Sequence, residues 1–147
     1  MKNLKKYSIA LSILAVPLLA GALRVEVGSP AGNQEALAKQ AVLVVRTTAC
    51  HSPEKTTMTA TAEGVVNGTR KSIPLKLISL SMPGTFAVTR QWPEQGTWAV
   101  KAIATNPEYK DYATSAVVPV EKNTAQWAAV KHYYHAPSEA EVLASLN

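Results

Sequence analysis

The sequence predicts an all-β fold, one antiparallel sandwich of about seven short strands. Three observations carry that expectation. Apolar and polar residues alternate with period two in a series of short runs, the runs are rich in valine and threonine, and turn-forming residues separate them at regular intervals.

The first element is a secretory signal over residues 1–22. Lys2, Lys5 and Lys6 give it a basic start, Tyr7 to Ala22 is uncharged and apolar, and Ala20-Gly21-Ala22 supplies the small residues of a cleavage site. The apolar run falls short of the ~20 residues that a bilayer-crossing helix wants, and Pro17 breaks it. Cleavage after Ala22 leaves no stable membrane span; retention of the segment as an anchor is the alternative. Residues 23–40 carry Gly28, Ser29, Pro30, Gly32 and Asn33 at their centre and read as a linker.

The sandwich domain is expected over residues 41–136. Ala41 to Thr48 is valine-rich, and Thr56 to Val66 alternates threonines with Met58, Ala60 and Ala62. Asn67-Gly68 follows, the pair that best tolerates the positive φ of a type I′ turn, so this run should pair with Thr69 to Leu80. Pro74 inside that third run lacks a backbone donor, which suits an edge strand or a bulge. Thr85 to Gln91 puts Phe86 and Val88 on one face; Thr97 to Ala104 puts Trp98, Val100, Ala102 and Ala104 on one face; Ala113 to Val120 completes the series. Pro83-Gly84, Pro93 to Gly96 and Asn106-Pro107 punctuate these runs. Trp127 to His135 fits either a closing strand or a helical face, with strand preferred. Over residues 137–147, Ser138 and Glu141 have capping-box spacing, which predicts a short C-terminal helix packed through Val142 and Leu146.

Three segments, Thr59 to Gly64 with Ile73 to Leu77, Met82-Pro83-Gly84-Thr85-Phe86-Ala87-Val88, and Gly96-Thr97-Trp98-Ala99-Val100, together resemble small extracytoplasmic immunoglobulin-like and transthyretin-like sandwiches, the carboxypeptidase-regulatory-like modules among them. The likeness covers Ala41 to Val120 and rests on strand punctuation. It implies an immunoglobulin-like β-sandwich acting as a non-enzymatic binding or accessory module, and it carries over no catalytic residue.

Charge excludes one class of partner. Three of the 15 basic residues lie in the signal and all 10 acidic residues lie beyond it, so the rest of the chain holds twelve against ten, a net +2. No basic stripe with interleaved aromatics remains, and nucleic acid is not an expected partner.

Two sets of side chains are candidate sites. Cys50, the single cysteine, stands beside His51, and His132 and His135 bracket Tyr133-Tyr134. A thiolate and imidazoles suit copper or zinc, with Met58 or Met82 as thioether partners, although neighbours on a strand point to opposite faces. Trp92, Tyr109, Tyr112, Tyr133 and Tyr134 form a partner-binding set, since Tyr and Trp dominate contact hot spots. Trp92, beside Pro93, suits surface and core equally; Trp98 and Trp127 are assigned to the core. There is no Gly-x-Ser-x-Gly, phosphate loop or His-Glu-x-x-His, so the chain is read as a non-enzyme without a cofactor.

The expected function is therefore that of a periplasmic or secreted domain contacting another extracytoplasmic protein or a surface polymer. Two alternatives stand beside it: an extracytoplasmic copper or zinc binder, and a structural subunit of a surface assembly that adds strands at an edge near Pro74.

Overall fold

Period-two alternation sends the apolar half of each strand to one side, and two such sides close on each other in this protein. The computed structural model describes residues 23–49, 52–110 and 112–147. The signal expected over residues 1–22 lies outside them. In chain order the elements are β1 (Arg24–Gly28), α1 (Gln34–Ala38), β2 (Ala41–Thr48), β3 (Thr57–Val66), β4 (Thr69–Pro74), β5 (Ile78–Ser79), β6 (Thr85–Thr89), β7 (Thr97–Thr105), β8 (Ala113–Glu121), β9 (Thr124–Ala125), β10 (Lys131–Tyr133) and α2 (Glu139–Leu143).

All strand pairs are antiparallel. One sheet runs β1-β2-β6-β5 and the other β10-β8-β7-β3-β4, with β9 beside the end of β8. Lettered along the chain, β1 to β8 lie A-B-E-D against G-F-C-C′, the strand order of an immunoglobulin-type sandwich. The inter-sheet cystine of antibody domains has no counterpart, because Cys50 is the only cysteine.

Between the sheets lies one core. Val25, Leu43, Val45 and Val88 meet Ala60, Ala62, Trp98, Val100, Ala102, Ala116 and Val118 there. The small residues have a reason: the Trp98 ring lies across Gly64, where an added Cβ would sit 2.3 Å from Trp98 Cε3. Asn67 and Gly68 both have positive φ, 49° and 73°, and β3 pairs β4 across them from Val66↔Thr69 to Thr61↔Pro74. β4 is the outer strand of its sheet, so Pro74 sits on an edge where its missing donor costs no ladder bond.

Residues 23–40 are not a linker. Val25 and Val27 alternate with Arg24 and Glu26, and β1 pairs β2 from Arg24↔Thr48 to Gly28↔Val44. Leu23 and Val25 enter the core. α1 starts on Asn33, whose Oδ1 accepts from the Ala36 amide at 2.9 Å, and it lays Ala36 on Leu80 and Ala87, the outside of the first sheet. The turn-rich centre is thus a connection between two elements of the domain.

α2 covers the outside of the second sheet in the same way. Ser138 and Glu141 make the expected capping box, and Val142 packs on Ala99 and Val117 with Tyr133 and Leu146 beside it. Between Trp127 and His135 the chain makes a 3₁₀ turn at Trp127–Ala129 and then β10, so strand and turn share the segment. Trp127 is 41 % exposed on that turn and does not belong to the core.

Candidate functional site

Register fixes which loops meet. β3 and β7 pair from Thr57↔Thr105 to Val65↔Thr97, and β7 and β8 from Thr105↔Ala113 to Trp98↔Val120. Residues before Thr57, between Thr105 and Ala113, and after Tyr133 therefore gather at one end of the sandwich. The Asn67-Gly68 hairpin and the connection from β6 to β7 lie at the other.

Asn106 organises the loop end. It is 3 % exposed. Its Nδ2 donates to Ser52 O and to Thr56 Oγ1, both at 2.9 Å, and its Oδ1 accepts from the Glu108 amide at 3.0 Å. That last bond is an Asx turn, and it carries the chain into two further turns, Tyr109 N–H to Asn106 O and Tyr112 N–H to Tyr109 O. Lys55 and Glu108 add an ion pair between the same two loops.

A groove of about 630 Å³ opens beside this staple, lined by Thr57, Thr105, Tyr109, Lys110, Tyr112 and His135 among others. The Tyr109 and Tyr112 rings have centroids 6.4 Å apart and planes tilted by 46°, so they form an angled pair and not a flat platform. Tyr112 also rests on the core.

His135 forms the opposite wall. Its carbonyl accepts from Ser115 Oγ at 2.6 Å, its Nε2 lies 3.1 Å from both carboxylate oxygens of Glu141, and the Tyr133 ring meets its ring edge-on at 5.4 Å. The Ser138 amide, followed by His135, holds the Glu141 carboxyl below its ordinary 4.5. The α2 capping box thereby orients the imidazole at the groove.

The candidate residues separate in space. Tyr109, Tyr112 and His135 come together. His132 pairs with Ala116 and so faces inward, lining a different cleft with Arg24, Glu26 and Tyr134. Tyr133 pairs with Ser115, faces outward and packs beside α2. The two tail histidines thus line different clefts, and β10 ends at Tyr133, before His135. Tyr134 is 69 % exposed, and Trp92 is 4 % exposed in the core. The chain passes from one sheet to the other between β6 and β7, and Trp92 plugs the gap it crosses, so its ring belongs to the core and not to a contact surface. Cys50 and His51 lie outside the described residues; Ser52, the next residue, lies against Asn106. Met58 is half-buried against the core and Met82 is exposed. Among the described residues no group of three metal-ligating side chains occurs.

One buried charge escaped the sequence reading. Glu63 is 2 % exposed on the outer face of the larger sheet, beside α2. It accepts from Thr61 Oγ1 at 2.7 Å, Ser72 Oγ at 3.0 Å and Lys101 Nζ at 2.8 Å. Arg70 lies 3.6 Å from its other oxygen and also pairs with Glu139 of α2. Burial pushes the Glu63 carboxyl up, but the Lys101, Thr61 and Ser72 hydrogen bonds and the Lys101 charge outweigh it and hold it below 4.5.

Compared with known protein families, curated proteins and solved structures, the chain matches none of them.

Proposed function

We propose that this chain is an exported, non-enzymatic binding domain of the periplasm or cell exterior, and that its contact surface is the loop-end groove. The observation that carries this reading is the Tyr109-Tyr112 pair lining a groove whose two loops are stapled by Asn106. A wall fixed before the ligand arrives spares the ordering cost that a floppy loop would add to binding. The signal-like segment at residues 1–22 and the resemblance to extracytoplasmic sandwiches support the location.

Glycan and peptide arrays probed with the protein and with its Tyr109→Ala/Tyr112→Ala variant test the reading. Array partners that the wild type holds and the double variant loses are the expected result. Partners held equally by both, or turnover of ester, peptide or glycoside panels that needs His135, would overturn it.

A second reading, that the chain holds copper or zinc, has one observation in its favour. Ser52, the described residue that follows Cys50-His51 in the sequence, lies on Asn106 at the end where His135 stands. His132 takes no part in this version. Competition for copper(I) against a chelator, with Cys50→Ser and His135→Ala, decides it: unchanged affinity in both variants ends the reading.

A further inference from the structure

The outer strands of the two sheets are β1, β5, β10 and β4, and an outer strand offers a row of main-chain donors and acceptors that another chain can take up. Three of them are guarded or short. β4 carries Pro74, and its Lys71, opposite Gly64 and of the other parity from Ser72 beside outward-facing Glu63, points to the core side. β5 is two residues long, and the Gln91 side chain takes the neighbouring Lys76 amide and carbonyl at 2.9 and 3.0 Å. β10 is three residues long. β1 differs: its five residues include no proline, and its inward side chains are Val25 and Val27. The Thr47 amide donates to Gly84 O at 2.9 Å, toward β6, so Val44, Arg46 and Thr48 turn their main chain to β1 and meet Gly28, Glu26 and Arg24. Val25 and Val27 therefore turn theirs to the open side, where no described strand pairs with them.

The two sheets are also offset. β1 lies over β8 and β7, so β10 reaches one strand beyond it. His132, on the inner face of β10, is exposed for that reason, and with Thr114 and Tyr134 it lines a cleft of about 340 Å³ along the β1 edge. A second copy paired β1 to β1 would drive its own β8 and β10 into this β10, so the shape suits a single strand with no sheet beneath it. Charge narrows the sequence of that strand: Glu26 is met by Arg46 at 4.0 Å, while Arg24 forms no ion pair among the described residues. We infer that an extended segment of a partner protein adds to the first sheet beside β1, an apolar side chain next to Val25 turned in over His132 and Tyr134 and a carboxylate next to Arg24 turned out. This contact is separate from the loop-end groove.

Selection of random displayed peptides of roughly nine residues, followed by amide exchange with the strongest one bound, tests this. Enriched sequences should alternate apolar and acidic residues, and binding should slow exchange at the Val25 and Val27 amides while leaving Glu26, already bonded to β2, unchanged. Val27→Pro removes an edge donor and no β1-β2 bond, so it should weaken the peptide about tenfold. Arg24 is exposed, so Arg24→Glu keeps the fold; it should weaken acidic peptides about tenfold and turn a repeated selection to basic ones. No alternating sequence enriched, or exchange unchanged at Val25 and Val27, overturns the inference. A dimer in sedimentation that Val27→Pro abolishes would make the occupant a second copy and overturn it too. If every enriched peptide is lost on Tyr109→Ala and kept on Val27→Pro, the groove stands and the edge is wrong; the reverse pattern upholds the edge and removes the groove as a peptide site.

Discussion

At the hairpin end of the sandwich, Trp92 and Trp98 turn inward; at the loop end Tyr109 and Tyr112 line a groove. Trp98 occupies a strand, so its parity with Val100 and Ala102 commits it to the core, and its Nε1 donates to Gln95 O at 2.8 Å without leaving it. Tyr109 sits in a run of turns, where no alternation decides its direction, and Asn106 does so instead. The same residue class thus stabilises one end and equips the other. Whether a regular element or a side-chain staple positions the ring is what differs.

The C-terminal tail links the two ends. It leaves the loop end at His135, crosses the outer sheet face as α2, and reaches the hairpin end, where Leu146 and Asn147 lie near Gly96 and Trp98. Glu63, Arg70 and Glu139 anchor it midway.

The contrast predicts graded effects. Trp98→Ala should cost about 3 to 5 kcal/mol in chemical denaturation, because the core around Gly64 has nothing to refill the space. An effect as small as that of a surface substitution would place the ring outside the core.

Glu63→Gln comes next, at about 2 to 3 kcal/mol near neutral pH, since it removes the charge that Lys101 and Arg70 face. The folded carboxyl is held below 4.5, so as pH falls the unfolded chain binds its proton first. The stabilisation is complete above about pH 4.5 and is lost as pH falls through the lowered folded value. Melting temperatures of wild type and Glu63→Gln should therefore converge below pH 4.5 and stay apart above it; a constant gap across the titration would contradict the ion-pair account.

Asn106→Ala should cost about 1 to 2 kcal/mol and act locally. Amide exchange should quicken in residues 52–56 and 107–110 while the β3-β4 hairpin is unchanged. Uniform acceleration through both ends would mean that Asn106 has no special hold on the loops.

How much of this the sequence discloses follows from the same contrast. Where strands alternate, the reading holds: β2 spans Ala41–Thr48, the Asn67-Gly68 hairpin forms, and Phe86, Val88, Trp98 and Val100 face the core. β1 escaped because its Arg-Val-Glu-Val alternation is only five residues long and runs into a turn-rich stretch. Asn106 announced a turn, but its bonds to Ser52 and Thr56 join residues 54 and 50 positions away, which no local signal encodes. Glu63 follows Ala62 with the opposite parity and so faces outward; only the tertiary placement of Arg70, Lys101 and α2 makes that outward face a buried one. Trp127, assigned to the core from the sequence, is exposed because the segment does not run as one strand: a 3₁₀ turn at Trp127–Ala129 precedes the three-residue β10.

Tyr109→Ala should change stability least, by about 1 kcal/mol or less, while removing ligand binding. A loss of stability like that of Trp98→Ala would erase the distinction between the two ends.

The most direct test of that distinction is a map of backbone amide chemical shifts recorded as ligand from the arrays is added. The account predicts shifts confined to residues 52–57, 105–113 and 133–136, with the Asn67-Gly68 hairpin and residues 92–98 silent. Shifts centred on the hairpin end, or on the β4 edge at Arg70 to Pro74, would contradict it.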